Sequence, residues 1–192
     1  MYKEGMTMKL NLGCGDKILD GWINVDKFNT FKVDIVHDLE RIPYPFQDDS
    51  VDEILLSHVL EHLGQNPDIF NNIIKELYRI CKNNCVINIS VPHPRHDNFI
   101  NDPTHVRPIT VELLSLYNKK QNEHWRSIGA ANTPFATILN VDFRIDKAVY
   151  ILSDEILEKM KQGKIDNEQL EFYRKHYNNV VKSIELKWRV VK

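Results

Sequence analysis

The sequence of 192 residues lacks long apolar segments and any large excess of one charge. It contains no run of 18 or more apolar residues, so we expect no membrane span. The first ten residues, MYKEGMTMKL, lack the apolar core of a signal peptide. A formal net charge of -2 argues against a protein that coats nucleic acid by general electrostatics.

Cysteine is also too sparse to build a framework. The three cysteines, Cys14, Cys81 and Cys85, are an odd number and show no C-x-x-C spacing. This pattern favours neither a disulfide scaffold nor a zinc site built on cysteine. We therefore expect reduced, buried or half-buried thiols in a cytoplasmic protein.

The first half of the chain alternates short apolar strands with helical segments, which is typical of a parallel sheet with helices on its faces. Apolar residues at helical spacing predict a helix over Pro67 to Cys81, and a shorter helix is expected from Ser57 to Leu63. The predicted strands are Met8 to Leu12, Trp22 to Val25, Val33 to Val36, Val51 to Leu56 and Cys85 to Val91.

The second half is less regular, and its length fits a single domain over residues 1–192. We expect a helix over Thr110 to Tyr117, irregular structure over 120–136 and a long strand over Ile138 to Leu152. We expect a charged helical insertion at about 154–181, broken at Gly163. Its lysines are interleaved with glutamates, which indicates a helix face exposed to solvent. We expect this insertion to pack on its own domain, to cover a cleft or to form a homodimer contact. The alternating segment SIELKWRVV then predicts a final strand.

Three successive strand ends carry residues suited to a nucleoside-like cofactor. The first strand ends in Gly13-Cys14-Gly15, where backbone without a side chain can approach a ligand closely. Asp26 closes the second strand, where one carboxylate can accept two hydrogen bonds from a ribose diol. Asp38 follows the third strand and could accept a hydrogen bond from an adenine amino group, with Leu39 packing on the ring.

These residues lie in the segments LNLGCG, INVD, HDLE, SVDEILLSHVLEHL and NNCVINISVP, and with them the chain resembles the class I S-adenosylmethionine-dependent methyltransferases. The resemblance implies an α/β, Rossmann-like methyltransferase fold whose seven-stranded sheet is mostly parallel, with the last strand antiparallel. It implies S-adenosyl-L-methionine as cofactor, with S-adenosyl-L-homocysteine as product. The cofactor-binding residues that it implies are Gly13, Cys14, Gly15, Asp26, Asp38, Leu39, Leu56 and Ser57.

The chain departs from this family between the glycine turn and Asp26. A dinucleotide-binding turn has a third glycine, in the motif G-x-G-x-x-G, and binds a pyrophosphate at the following helix N-terminus. The turn here lacks that glycine, which disfavours a dehydrogenase. S-adenosylmethionine has no phosphate, so a turn that binds it does not need the third glycine. Only Lys17 to Gly21 remain for the usual first helix, little more than one turn. We therefore predict a shortened first helix.

The segment SHVLEHL carries His58, Glu61 and His62 at spacings of three and four, which would place them on one side of a helix. In one interpretation the apolar residues pack inward and these three side chains are only solvated. In another, His58 or His62 acts as a general base. The segment also resembles a Glu-x-x-Glu-His motif that binds a divalent metal in some O-methyltransferases, although His58 replaces the first glutamate. We expect no metal; the alternative ligand set is His58, Glu61, His62 and His105.

Residues 92–110, PHPRHDNFINDPTHVRPIT, follow the fifth strand, where open α/β sheets bind ligands. His105 and Arg107 resemble a His-x-Arg-x-x-Thr arrangement of small methyltransferases, so the candidate catalytic residues are His58, His62, His105 and Arg107. The hypothesis is an enzyme that methylates a hydroxyl, or an amine, of a small-molecule or sugar acceptor. The alternatives are an RNA 2′-O-methyltransferase with a His/Glu metal site, and a non-catalytic module that binds S-adenosylmethionine.

Overall fold

The computed structural model describes residues 7–192, and all of its strands form one sheet. The prediction about a signal peptide concerned the first ten residues, and residues 1–6 of these lie outside the described residues. The strands are β1 (Lys9–Leu12), β2 (Ile23–Asp26), β3 (Ile35–Val36), β4 (Val51–Ser57), β5 (Cys81–Pro92), β6 (Phe143–Leu152) and β7 (Val181–Val190). The helices are α1 (Pro67–Ile80), α2 (Asp97–Ile100), α3 (Val111–Ser115), α4 (Lys119–Ser127), α5 (Phe135–Leu139), α6 (Asp154–Lys161) and α7 (Asn167–His176).

The strand order is β3-β2-β1-β4-β5-β7-β6. The first five strands are parallel, and β7 runs antiparallel to both of its neighbours, β5 and β6. The predicted Rossmann-like, seven-stranded sheet with an antiparallel last strand is therefore confirmed. Its carboxyl edge, where β1, β2 and β4 end, carries Gly13, Asp26 and His58.

The long helix α1 forms because its sequence has both a clear start and an apolar stripe. The side chain of Asn66 accepts a hydrogen bond from the Asp68 N–H at 2.8 Å, and Pro67 occupies the first helical position. Phe70, Ile73, Ile74, Leu77 and Ile80 are buried. They join a core cluster with alternate residues of the central strands, so α1 covers the apolar face of the sheet.

The predicted short first helix is absent: residues 13–22, between β1 and β2, form turns and no helix. Two buried asparagines hold this segment instead. The Asn11 side chain donates to the Lys17 carbonyl at 2.7 Å and to Asn24 Oδ1 at 3.0 Å. Asn24 Oδ1 accepts from the Leu19 N–H, and its Nδ2 donates to the Leu19 carbonyl. Side-chain hydrogen bonds thus satisfy backbone groups that a helix would pair internally.

Several predicted element bounds are wrong. Ser57 to Leu63 form no α-helix, because His58 has a φ of +57° and only Leu60–His62 make a short 3₁₀ helix. The stretch 120–136 contains most of α4 and the start of α5. Asn118 caps α4 by accepting from the Gln121 N–H, but only Asn122 of this helix is buried, so no apolar periodicity marks it. The long strand begins at Phe143 instead of Ile138, after Asn140 ends α5 with a φ of +52°.

Candidate functional site

A cleft of about 450 Å³ lies at the carboxyl edge of the sheet. Its wall includes Gly13 and Gly15 after β1, Asp26 at the end of β2, and Asp38 with Leu39 after β3. His58 and His62 face the same cleft from the segment after β4. The structure thus brings together seven of the residues that the sequence nominated, each from the end of a parallel strand.

Gly13 is required by close packing as well as by its backbone. Its φ is +66°, and a Cβ atom at this position would lie 2.7 Å from Cγ2 of Val59. No larger residue can therefore occupy the position without displacing the segment that carries His58. The turn is anchored to β2, since the N–H groups of Gly13 and Cys14 donate to the Val25 carbonyl.

Asp26 is held by two backbone groups and keeps acceptor capacity toward the cleft. Oδ2 accepts from the Gly15 N–H at 2.9 Å, and Oδ1 accepts from the Phe28 N–H at 3.0 Å. An ionised carboxylate offers about four lone-pair directions, so each oxygen retains one. This arrangement suits a vicinal diol, which presents two hydroxyl donors side by side.

Five of the nominated cofactor-binding and catalytic residues lie off the cleft wall, and one of them, His105, belongs to the histidine cluster described below. Leu56 is buried in the core, and Ser57 ends β4 without lining the cleft. Cys14 is buried behind the glycine turn, where burial and the nearby charge of Asp26 raise the pKa of its thiol. Arg107 lies over the ring of Phe70, 4.3 Å from its centroid, and donates to the Gly64 carbonyl.

The histidines form a second cluster beside the cleft. Nδ1 of His58 lies 3.3 Å from Oε1 of Glu61. The two residues do not share the predicted helix, since the 3₁₀ helix begins at Leu60. The His62 and His105 rings meet edge to face with centroids 4.6 Å apart. His105 is itself off the cleft wall, its side chain only 9% exposed, and stacks on Phe99.

The sequence interpretation missed a group of cleft residues, several of which follow Asp26 directly. Phe28 and Phe31 are 61% and 47% exposed, which is unusual for large apolar side chains outside a binding site. In the sequence, two aromatic residues soon after the acid that ends β2 are the signal that could have identified this part of the wall. The missed wall residues are Lys27, Phe28, Thr30, Phe31, His37, Glu40, Val59, Leu63 and Thr104.

The loop after β5 is tied to the helical insertion. The Arg95 guanidinium donates to the carbonyls of Arg174, Lys175 and Tyr177 at the end of α7. Ile156, Ile165 and Val180 form a small buried cluster beneath α6 and α7. The insertion therefore packs on its own chain. No helix among residues 7–192 is long and apolar enough to cross a membrane.

Comparison with known proteins agrees with this architecture. Residues 17–89, less than half of the chain, match a family model described as methyltransferase domain. No curated protein matches the chain in sequence. A solved S-adenosylmethionine-dependent methyltransferase from Archaeoglobus fulgidus is similar with a TM-score of 0.62 at 20% identity, covering 96% of this chain and 86% of that one.

Two further structures share the fold. One is a methyltransferase of the same dependence from Methanosarcina mazei, with a TM-score of 0.54 at 12% identity, covering 99% of this chain and 95% of that one. The other is the [4+2]-cyclase SpnF, with a TM-score of 0.51 at 14% identity, covering 96% of this chain and 74% of that one. Since the fold also supports a cyclase, the fold alone does not name the reaction. The matched segment, residues 17–89, is similar to a methyltransferase domain and contains Asp26, Asp38 and His58 of the cleft.

Proposed function

We propose that this chain is an S-adenosylmethionine-dependent methyltransferase, that it methylates a hydroxyl group of a small-molecule or sugar acceptor, and that His58 accepts the hydroxyl proton. The observation that carries this proposal is the pairing of His58 with Glu61. His58 is exposed on the cleft wall, while Glu61 beside it is fully buried. A base that is oriented by a third, fixed group is the usual arrangement of proton-transfer sites.

The His58 contact determines which ring nitrogen is available. The Glu61 carboxylate lies 3.3 Å from Nδ1 without hydrogen-bond geometry, and its negative charge favours the tautomer that carries the proton on Nδ1. Nε2 then carries the lone pair. In the reaction the acceptor oxygen gives its proton to Nε2 and forms a bond to the methyl carbon. The bond from methyl carbon to sulfur breaks, and its electron pair stays on sulfur as S-adenosylhomocysteine.

The nominated residues of the glycine turn and of the ends of β2 and β3 take supporting roles in this proposal. Asp26 binds the ribose, Asp38 and Leu39 contact the adenine, and the Gly13–Gly15 turn passes beside the methionine part. Holding cofactor and acceptor in line supplies much of the rate, because positioning removes the entropy cost of a two-molecule encounter. All three cysteines are free thiols, which fits action in the cytoplasm.

The charges around the site favour a small acceptor over RNA. Binding to RNA needs cationic side chains free to meet phosphates. Both arginines of residues 92–110 are committed elsewhere, Arg95 to backbone carbonyls of α7 and Arg107 to Gly64 and Phe70. The cleft wall itself carries one lysine, Lys27, and three carboxylates, those of Asp26, Asp38 and Glu40. Salt bridges also pair lysines of the insertion, such as Lys159 with Glu155.

The proposal is tested by methyl transfer from labelled cofactor to a panel of free sugars, nucleotide-linked sugars, phenols, amines and short RNA. We expect transfer to at least one hydroxyl compound and none to RNA. His58→Ala should lower kcat by about 100-fold or more, the range for loss of a general base. His124→Ala, at an exposed position of α4, is the matched control and should retain wild-type kcat.

Calorimetry with S-adenosylmethionine separates catalysis from cofactor binding. The Kd of His58→Ala should stay within about threefold of wild type, since the proposed role is in proton transfer. Wild-type kcat in His58→Ala would contradict the base assignment. Transfer confined to RNA or to amines would contradict the acceptor class. Cofactor binding with no transfer to any compound would favour the non-catalytic module.

A further inference from the structure

We propose that Glu61, His62 and His105 bind a divalent transition-metal ion beside the cofactor cleft. One ligand atom of each side chain lies within 4.8 Å of the ligand atoms of the other two. This set is smaller than the four-residue alternative raised from the sequence. His58 contacts Glu61 from the cleft side instead of completing the group.

The strongest evidence is the isolation of the Glu61 carboxylate. Glu61 is 0% exposed, and neither of its side-chain oxygens has a hydrogen-bond partner among residues 7–192; the contact with His58 Nδ1 at 3.3 Å lacks hydrogen-bond geometry. A buried carboxylate without hydrogen-bond donors is strongly unfavourable unless a cation or a proton neutralises it. The backbone around it is fixed, because the Glu61 carbonyl accepts from the N–H groups of Val106 and Arg107. The negative charge of the Glu61 carboxylate is therefore held at a fixed position beside His62 and His105.

The hydrogen bonds of His105 leave Nε2 free. Its Nδ1 lies 2.8 Å from the Phe99 carbonyl oxygen, which can only accept, so Nδ1 carries the proton. The lone pair of the neutral ring is then on Nε2. Donation from the distal nitrogen to a backbone carbonyl is the arrangement that orients metal-binding histidines.

The same reasoning applies to His62 through one further residue. Thr104 Oγ1 donates its only proton to Asp102 Oδ1 at 2.6 Å. Oγ1 must therefore accept from His62 Nδ1, which lies 2.9 Å away, and the lone pair of His62 is also on Nε2. Asp102 Oδ2, 3.8 Å from His105 Nε2, adds negative charge at this side. The hydrogen bonds of both histidines thus leave the lone pair of each ring on Nε2, available to a metal ion beside the Glu61 carboxylate.

The ligand types indicate the class of ion. Two nitrogens and one carboxylate oxygen suit Zn²⁺ and its first-row neighbours, whereas Mg²⁺ prefers an all-oxygen shell. Three protein ligands leave a position open, and His62 and Thr104 both line the cleft. The role of the ion rests on the proposed function: it would bind the acceptor hydroxyl and ease the loss of its proton to His58.

Metal binding is tested without cofactor or acceptor, so its failure is distinguishable from failure of the proposed reaction. Metal-stripped protein is titrated with CoCl₂, followed by visible absorption, and with ZnCl₂, followed by calorimetry. Wild type should take up one ion per chain. His62→Ala and Glu61→Gln should each bind at least tenfold more weakly, with circular dichroism reporting whether each variant folds.

Two matched variants define the ligand set. His124→Ala lies on α4 away from the cluster, and His58→Ala removes the neighbour of Glu61; both should keep wild-type affinity. No uptake by wild type would overturn the inference. Equal affinity in wild type, His62→Ala and Glu61→Gln would identify an adventitious ion only and would also overturn it. Loss confined to His58→Ala would reject the assigned ligands.

Discussion

The N–H of Gly15 donates a hydrogen bond to Oδ2 of Asp26 at 2.9 Å, which ties the glycine turn after β1 to the acid that ends β2. This bond joins the two features that first suggested a cofactor site. It also explains how eleven residues can separate them, since the intervening chain is folded back by turns and by asparagine side chains. The cleft is therefore built by local contacts without a first helix.

Gly13→Ala should disrupt the cleft more than an ordinary glycine replacement. The alanine Cβ would meet Val59 Cγ2 at 2.7 Å, in addition to the strain of a positive φ. We expect a loss of about 2–4 kcal/mol in the free energy of unfolding, of which about 1–2 kcal/mol is backbone strain. Gly21→Ala, with a φ of +77° and open space around its Cβ, is the control for strain alone. Equal losses in urea unfolding of the two variants would contradict the packing argument.

Asn24→Ala should loosen the segment that replaces the first helix. The variant loses bonds to the backbone of Leu19 and to the carbonyl of Trp22, and leaves buried groups without partners. Each such group costs about 1–3 kcal/mol, so the midpoint of thermal unfolding should fall by many degrees. Asn98→Ala, at an exposed position of α2, should leave the midpoint unchanged. A midpoint for Asn24→Ala equal to that of this control would show that the turns hold without Asn24.

Glu76 should make stability depend on pH through its ion pair with Arg79. Burial alone would raise the pKa of Glu76, but hydrogen bonds from Arg79 and from the Tyr44 N–H outweigh it and lower that pKa. A lowered pKa gives stability that is present above the ordinary glutamate pKa of about 4.3 and is lost as the pH falls through the folded value. Glu76→Gln should therefore be less stable than wild type at pH 7, and the difference should shrink below about pH 4.

Urea unfolding between about pH 2.5 and pH 7 measures this difference, with Glu123→Gln on the exposed side of α4 as the control. The control should follow wild type at every pH. A deficit of Glu76→Gln that stays constant with pH would mean that the carboxylate charge does not contribute.

The parts of the fold that could be predicted are those with strong local signals. β4, α1 and β7 have apolar periodicity and clear boundaries, and the structure places them within a few residues of the expected bounds. The segment after β4 was misassigned because a single residue, His58, takes a positive φ that no pattern of apolar residues reports. α4 was missed because nearly all of its faces are polar.

The site was partly predictable for a similar reason. Gly13, Gly15, Asp26, Asp38 and Leu39 follow directly from strand ends in sequence, so their meeting in one cleft was foreseeable. The convergence of Glu61 with His105 was foreseeable only as an alternative. It depends on more than forty residues of chain, which include α1 and β5, returning to the cleft where the N–H groups of Val106 and Arg107 donate to the Glu61 carbonyl. Spacing along the sequence carries no information about that return.

Calorimetric titration with S-adenosylmethionine, for wild type and Asp26→Ala, tests the central claim that the cleft between the glycine turn and Asp26 holds the cofactor. Asp20→Ala, an exposed carboxylate within the same turn segment, is the matched control. We predict binding by wild type and by the control, and a Kd at least tenfold higher for Asp26→Ala, because hydrogen bonds to a charged group contribute about 1.5–3 kcal/mol. No binding by wild type, or equal affinity in all three proteins, would contradict the account.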